Sequence, residues 1–80
     1  MRIDKFLKNA RIIKRRAIAK EACDRERVIL NGRPAKPGAE VKVGDVVIVH
    51  FGNGAIKLRV AALTESARKE DAASMYEPLP

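Results

Sequence analysis

Ile3, Phe6, Leu7 and Ala10 recur at the i, i+3, i+4, i+7 spacing of one helix face, while Arg2, Lys5 and Asn9 fall on other faces. After a hinge expected around Arg11 to Ile13, Arg15 to Asp24 reads as a second helix. It is rich in alanine, and Ile18, Ala19, Ala22 and Cys23 supply its apolar side. Two short amphipathic helices joined this tightly pack against each other as a helical hairpin. From Val28 the period changes from helix to strand. Val28-Ile29-Leu30 is a short apolar run closed by Asn31-Gly32, a turn signal because both residues tolerate positive φ. Pro34, Pro37 and Gly38 predict an irregular loop over residues 33–39. Val41 and Val43 lead into a second turn at Gly44-Asp45. Val46 to Phe51 is the strongest strand of the chain, and Gly52-Asn53-Gly54 turns it back into a partner strand from Ala55 to Ala61.

The tail from Thr64 predicts one more helix, with Thr64 as N-cap, Arg68 to Tyr76 helix-compatible and Pro78 as the stop. The expected architecture is α+β: a helical hairpin, a small antiparallel sheet of three to four strands, and a short C-terminal helix. Residues 1–63 are expected to form the functional domain and residues 64–80 a helical tail.

Eighty residues hold one domain at most. A chain of this size buries only about 60% of its unfolded surface. The longest apolar run, Val46 to Val49, is too short to span a bilayer, and charged residues interrupt the N-terminus too often for a secretory signal. Cys23 is the only cysteine, which excludes an intramolecular disulfide and a thiolate cluster for zinc. A cytoplasmic location without membrane attachment is therefore expected.

Charge changes the picture most. The formal net charge is +7. Residues 1–36 hold twelve basic residues and four acidic ones (Asp4, Glu21, Asp24, Glu26), whereas residues 37–80 hold five basic and six acidic ones. The whole positive surplus sits in the first half, where Arg outnumbers Lys. Clustered cations focus the field and release counterions on binding, so the partner implied is a polyanion, and charge alone does not say which. A merely solvated basic face is the plainer reading, but solubility does not call for arginine.

Lys14-Arg15-Arg16 stands at the start of the second helix, where free N–H groups already carry partial positive charge and no Ser, Thr or Asp is placed to cap them. A phosphate relieves that conflict by accepting from the N–H groups and pairing with the side chains. Arg2, Lys5 and Arg11 on the first helix and hinge, with Arg16 and Lys20 one turn apart on the second, are expected to form one patch. Arg27, Arg33 and Lys36 extend it from the loop side. Phe6 and Phe51 occupy core-like positions in their patterns, which leaves no exposed aromatic sheet for stacking bases. Recognition of folded RNA by phosphate and shape fits best, although charge alone admits DNA. Catalysis has little support. His50 is the only histidine and has no cysteine or carboxylate spaced as a partner; Ser66 and Ser74 have no nearby base; no glycine-rich phosphate loop exists. No cofactor or metal is expected, and Cys23 reads as a small packing residue.

These features resemble the S-four RNA-binding domain, named after a ribosomal protein. The resemblance is carried by Met1-Arg2-Ile3-Asp4-Lys5-Phe6-Leu7, Ile13-Lys14-Arg15-Arg16, Ala19, Val28, Asn31-Gly32 and Val43-Gly44-Asp45, and covers residues 1–50. It implies that the helical hairpin and the loop after it bind folded RNA, with Arg2, Lys14, Arg15 and Arg16 on the RNA-facing surface. The strand pair around Val49 to Val60 and the tail Lys69 to Tyr76 are similar to the stand-alone quality-control branch of the family. That similarity implies binding to large-subunit ribosomal RNA and peptidyl-tRNA on obstructed large subunits. There the protein would support template-free addition of alanine tails, with a partner protein delivering alanyl-tRNA. The heat-shock-protein-fifteen-like branch, which also binds large subunits with stalled chains, usually has a longer basic C-terminal extension, while here the second half is net −1. A protein-interaction module built on the apolar strands and Met75-Tyr76 is a further alternative. One departure stands out. The family often has glycine just after the second helix, where this chain has Arg25-Glu26-Arg27. Either Glu26 takes a left-handed conformation at a cost of about 1–2 kcal/mol, or the helix ends differently.

Overall fold

A computed structural model of the chain describes residues 1–65 and 68–80. The apolar stripe of the first helix, α1 (Ile3–Asn9), is buried along its whole length: Ile3, Phe6, Leu7 and Ala10 lose essentially all contact with solvent. The second helix, α2 (Arg16–Asp24), packs on α1 through Ala19 and Cys23. Those two small side chains, four residues apart, let the helices approach closely. Ile18 lies one helical step to the side and stays 50% exposed, contrary to its expected place on the buried face.

Both helices end alike. Arg11 adopts φ 57° and Glu26 φ 59°, the left-handed region that side chains disfavour. After α1, the N–H of Arg11 donates to Lys8 O (3.0 Å) and that of Ile12 to Leu7 O (3.1 Å). After α2, Glu26 N–H donates to Cys23 O and Arg27 N–H to Ala22 O, both at 2.9 Å. These pairs of bonds form the Schellman motif, which satisfies terminal carbonyls and reverses the chain sharply. The hinge expected at Arg11 to Ile13 is this motif. At Glu26 the strain is borne by a residue with a side chain, which settles the alternative raised by the missing glycine.

The sheet has five strands in the order β2-β1-β3-β4-β5, all antiparallel. They are β1 (Val28–Leu30), β2 (Arg33–Pro34), β3 (Val46–Phe51), β4 (Gly54–Val60) and β5 (Tyr76–Pro78). Asn31 (φ 50°) and Gly32 (φ 85°) make the tight turn between β1 and β2. Arg33 and Pro34 thus belong to a strand rather than to the irregular loop expected there. Asn31 also clamps a distant turn: its Oδ1 accepts from Val46 N–H (2.9 Å), and its Nδ2 donates to Asp45 Oδ1 (3.1 Å). The pairing register Val28↔Val49 and Val47↔Leu58 puts these four residues on one face, against the helices. Ile48 and Lys57 pair on the opposite face. Phe6 is a core residue as expected. Phe51 is not: at the last position of β3 it is 39% exposed.

The tail differs from a continuous helix. Its expected onset runs into Ser66 and Ala67, which lie outside the described residues. A single helical turn, α3 (Lys69–Ala72), is followed by a 3-10 turn (Ala73–Met75), and Tyr76–Pro78 then pairs with β4. Met75 is completely buried, and its carbonyl accepts from Ala61 N–H at 2.8 Å. The helical-hairpin-plus-antiparallel-sheet architecture with a short C-terminal helix is otherwise as read from the sequence. No helix among the described residues is long and apolar enough to cross a membrane.

Two stability changes follow from this packing. Met75→Ala should cost about 2–5 kcal/mol in urea unfolding. Glu26→Gly should raise stability by about 1 kcal/mol, as relief of left-handed strain outweighs the flexibility glycine adds to the unfolded chain.

Candidate nucleic-acid interface

Asp4 lies in the first turn of α1, beside the apolar stripe, and only 2% of it is exposed. Burial alone raises a carboxyl pKa, yet that of Asp4 is lowered. Hydrogen bonds from the Arg2 side chain, the Lys5 backbone and the Arg16 side chain, together with the positive charge of Arg16, outweigh the loss of water. Arg2 grips the carboxylate with two nitrogens, Nε to Oδ1 at 3.2 Å and Nη2 to Oδ2 at 3.0 Å. The Lys5 N–H donates to Oδ1 at 2.7 Å, satisfying a free donor of the first turn. Arg16, the first residue of α2, brings Nη2 to 3.4 Å from Oδ1. One buried anion thereby ties the starts of the two helices together. The side chains of Arg2 and Arg16 remain about half exposed, at 50% and 47%. Their guanidinium groups are fixed on the Asp4 side and open to solvent on the other.

The loop after β2 completes this corner. Ile3 N–H donates to Ala39 O (2.8 Å) and Val41 N–H to Met1 O (3.0 Å). Gly38 lies against the Arg2 guanidinium: a Cβ there would sit 3.9 Å from Cζ and Nη2. The α2 start is as the sequence suggested. Arg15 occupies the N-cap in an extended conformation, makes no capping side-chain bond, and no acidic residue stands in the first turn.

The remaining candidates are spread around this centre. Lys14 and Arg15 are exposed in the approach to α2, and Lys20 is exposed one turn beyond Arg16. Arg11 is exposed at the left-handed cap of α1. Arg33, on the edge strand β2, connects to the corner through the loop that follows it. Lys5 forms an ion pair with Glu65, whose carboxyl pKa that contact lowers. Asn9, on the other flank of the α1 stripe, donates through Nδ2 to Thr64 O (3.2 Å) and Glu65 O (3.4 Å). Together these contacts bind the 64–65 segment to α1. Cys23 faces the interior: burial, with smaller contributions from Asp4 and Asp24, pushes its thiol up to about 11, so it stays protonated. Among the described residues, no group of three or more His, Cys, Asp and Glu is placed to hold a metal ion.

In the sequence Asp4 is one of four acids in a basic half and part of the Met1 to Leu7 stretch that carries the resemblance, with no structural role assigned to it. A signal was present, since an acid flanking a fully apolar helix stripe two residues from an arginine is a candidate for a buried pair. The role of Gly38 beside Arg2 and the exposure of Phe51 gave no local sign.

The S4 domain model matches residues 1–47. Among curated proteins, the RQC P-site tRNA stabilizing factor of Streptococcus pneumoniae is 49% identical over 77 residues, covering 96% of this chain and 88% of that protein. The factor of the same name from Halalkalibacterium halodurans is 46% identical with the same coverage. Heat shock protein 15 of Escherichia coli is 36% identical, and the match spans 59% of it. Among solved structures, the Heat Shock Protein 15 of Vibrio cholerae, described as trimeric, superposes with a TM-score of 0.93 at 26% identity, covering 99% of this chain and 81% of that one.

Asp4 makes stability depend on acid. Its carboxyl is held lower in the folded protein than the ordinary 3.8 of an unfolded chain. The stabilisation is therefore complete above that value and is lost as pH falls through the folded-state pKa. Urea unfolding between pH 5 and pH 2 should show a steeper loss for the native chain than for Asp4→Asn, which is weaker at pH 5 but flatter in acid.

Proposed function

The chain belongs to the S4 domain family and, within it, to the group of the RQC P-site tRNA stabilizing factors, and on that premise we propose that it grips large-subunit ribosomal RNA together with peptidyl-tRNA. The family-level role is RNA binding in association with the ribosome, without catalysis. The finer reading is that the protein holds peptidyl-tRNA on an obstructed large subunit in the cytoplasm. It there supports the addition of C-terminal alanine tails, while a partner protein delivers alanyl-tRNA. Support for the tRNA contact comes from the name borne by the relatives. Support for the surface comes from the corner at Arg2 and Arg16.

The carrying observation is that Asp4 holds two half-exposed guanidinium groups beside the uncapped start of α2. A free arginine must lose rotamer freedom when it binds, and a pre-positioned one has already lost it. A phosphate that docks here receives planar donors from Arg2 and Arg16 and lies near the positive end of α2. Lys14, Arg15 and Lys20 continue the field along α2, and Lys5, Arg11 and Arg33 supply its periphery. A stem with phosphates in two rows fits this arrangement better than a single strand, because the fixed cations sit on two helices rather than in a line.

Salt-dependent co-sedimentation with large subunits tests this. Arg16→Ala should weaken binding roughly tenfold and reduce the slope of log K against log salt by about 0.7–0.9. Lys57→Ala, which removes a cation from the opposite sheet face, should change affinity little. Normal binding by a folded Arg16→Ala variant, or an equal loss from Lys57→Ala, would sink the assignment of the patch.

A further inference from the structure

A groove of about 470 Å³ runs between α2 and the far end of β3. Ile12, Ile18 and Ala22 form one wall and Phe51 stands at the other end, with Lys14 and Arg27 among the lining residues. Its size falls within the roughly 300–1,000 Å³ of sites that take small ligands. Phe51 and Ile18 are among the most exposed large apolar residues of the described chain. Of the lining cations, Arg25 is committed to Glu21 through Nη2–Oε1 at 3.0 Å. Lys14 and Arg27 are exposed and form none of the ion pairs seen among the described residues.

We propose that this groove receives a single unpaired RNA base, stacked on Phe51 and packed against Ile18, with its phosphates drawn to Lys14 and Arg27. The inference rests on the RNA-binding reading above and adds a second kind of contact to it. A nucleotide combines a flat apolar face with an anion only a few ångströms away, which is the combination the groove offers. Continuity selects RNA over an acidic peptide. Lys14 lines the groove and also begins the Lys14-Arg15-Arg16 run, so one polymer that occupies the corner at Arg2 and Arg16 passes the mouth of the groove. The groove supplies apolar area and an aromatic face, and its polar lining of Lys14, Arg27, His50 and the Glu21–Arg25 pair is exposed rather than a buried, fixed set of base-reading groups. It therefore senses that a base is unpaired more than which base it is. An S4-type surface that reads phosphates alone would bind any stem of the right shape; a pocket beside it restricts binding to stems with an extruded base.

Two RNA hairpins with the same stem test this, one carrying a single bulged 2-aminopurine and the other the same nucleotide paired. The native chain should bind the bulged hairpin roughly tenfold more tightly, with a change in 2-aminopurine fluorescence on binding. Phe51→Ala and Phe51→Leu should abolish both the preference and the fluorescence change, and Phe51→Trp should keep them. Because Phe51→Ala removes no charge, its salt slope should match the native one, whereas Lys14→Ala should lower the slope by about 0.7–0.9. Urea unfolding of each variant separates lost binding from lost fold. Equal binding of both hairpins without a fluorescence response overturns the groove assignment and leaves the RNA-binding reading standing. Failure to bind either hairpin overturns both. If Phe51→Ala spares both hairpins yet weakens recruitment to ribosomal particles, the groove belongs to a protein partner and the base proposal fails.

Discussion

A carboxylate between two helices is tolerable in so small a core only if donors replace the water it loses. Asp4 has Arg2 on one side, Arg16 on the other and the Lys5 N–H above. The contact sets the angle at which α2 meets α1, because Arg16 must reach back to the first turn of α1 from the first residue of its own helix. It also fixes where the loop 35–41 lies, since Gly38 packs on the same Arg2 guanidinium. Buried ion pairs are poor sources of net stability compared with apolar residues of equal volume. Their value here is orientation. The two arginines serve the interior and the surface at once, and hydrophobic side chains in their place would pack but present nothing to an anion.

The same economy of space shapes the helix ends. Two helices of seven and nine residues gain little from their own hydrogen bonds. They persist because each is held at both termini: Asp4 at the start of α1, and Schellman bonds at Arg11 and Glu26 at the ends. Placing charged residues in the left-handed positions strains the backbone, and it sets Arg11 and Glu26 on sharply exposed corners. At Arg11 that corner adjoins the approach to α2, where the cations gather.

Local periodicity made much of this legible. The α1 stripe, the Asn31-Gly32 turn and the Val46–Phe51 strand each carry their signal within a few residues, and each forms as read. Misreadings arose where a neighbour distant in sequence decides the outcome. Its spacing puts Ile18 on the apolar side; α2 instead approaches α1 through Ala19 and Cys23, leaving Ile18 outside. Phe51 follows the alternation of β3 faithfully, but at the last position of the strand it lines an open groove beside α2 instead of the closed core. The strand Tyr76–Pro78 is too short to announce itself and ends in a proline, and it pairs only because β4 offers a partner. Of the interface, the basic cluster was visible as composition. The acid that organises it was not, because its second arginine lies on the other helix.

The sheet ends on both sides in proline-bearing strands. Pro34 lies in β2 and Pro78 in β5, the two outermost strands. Each outer strand is only two or three residues long, and neither proline has an N–H to offer an incoming strand. Strand addition is the usual way a small β-rich protein sticks to unfolded chains or to copies of itself. With both borders blunted, the sheet presents little open edge on which a foreign strand or a second copy could extend it.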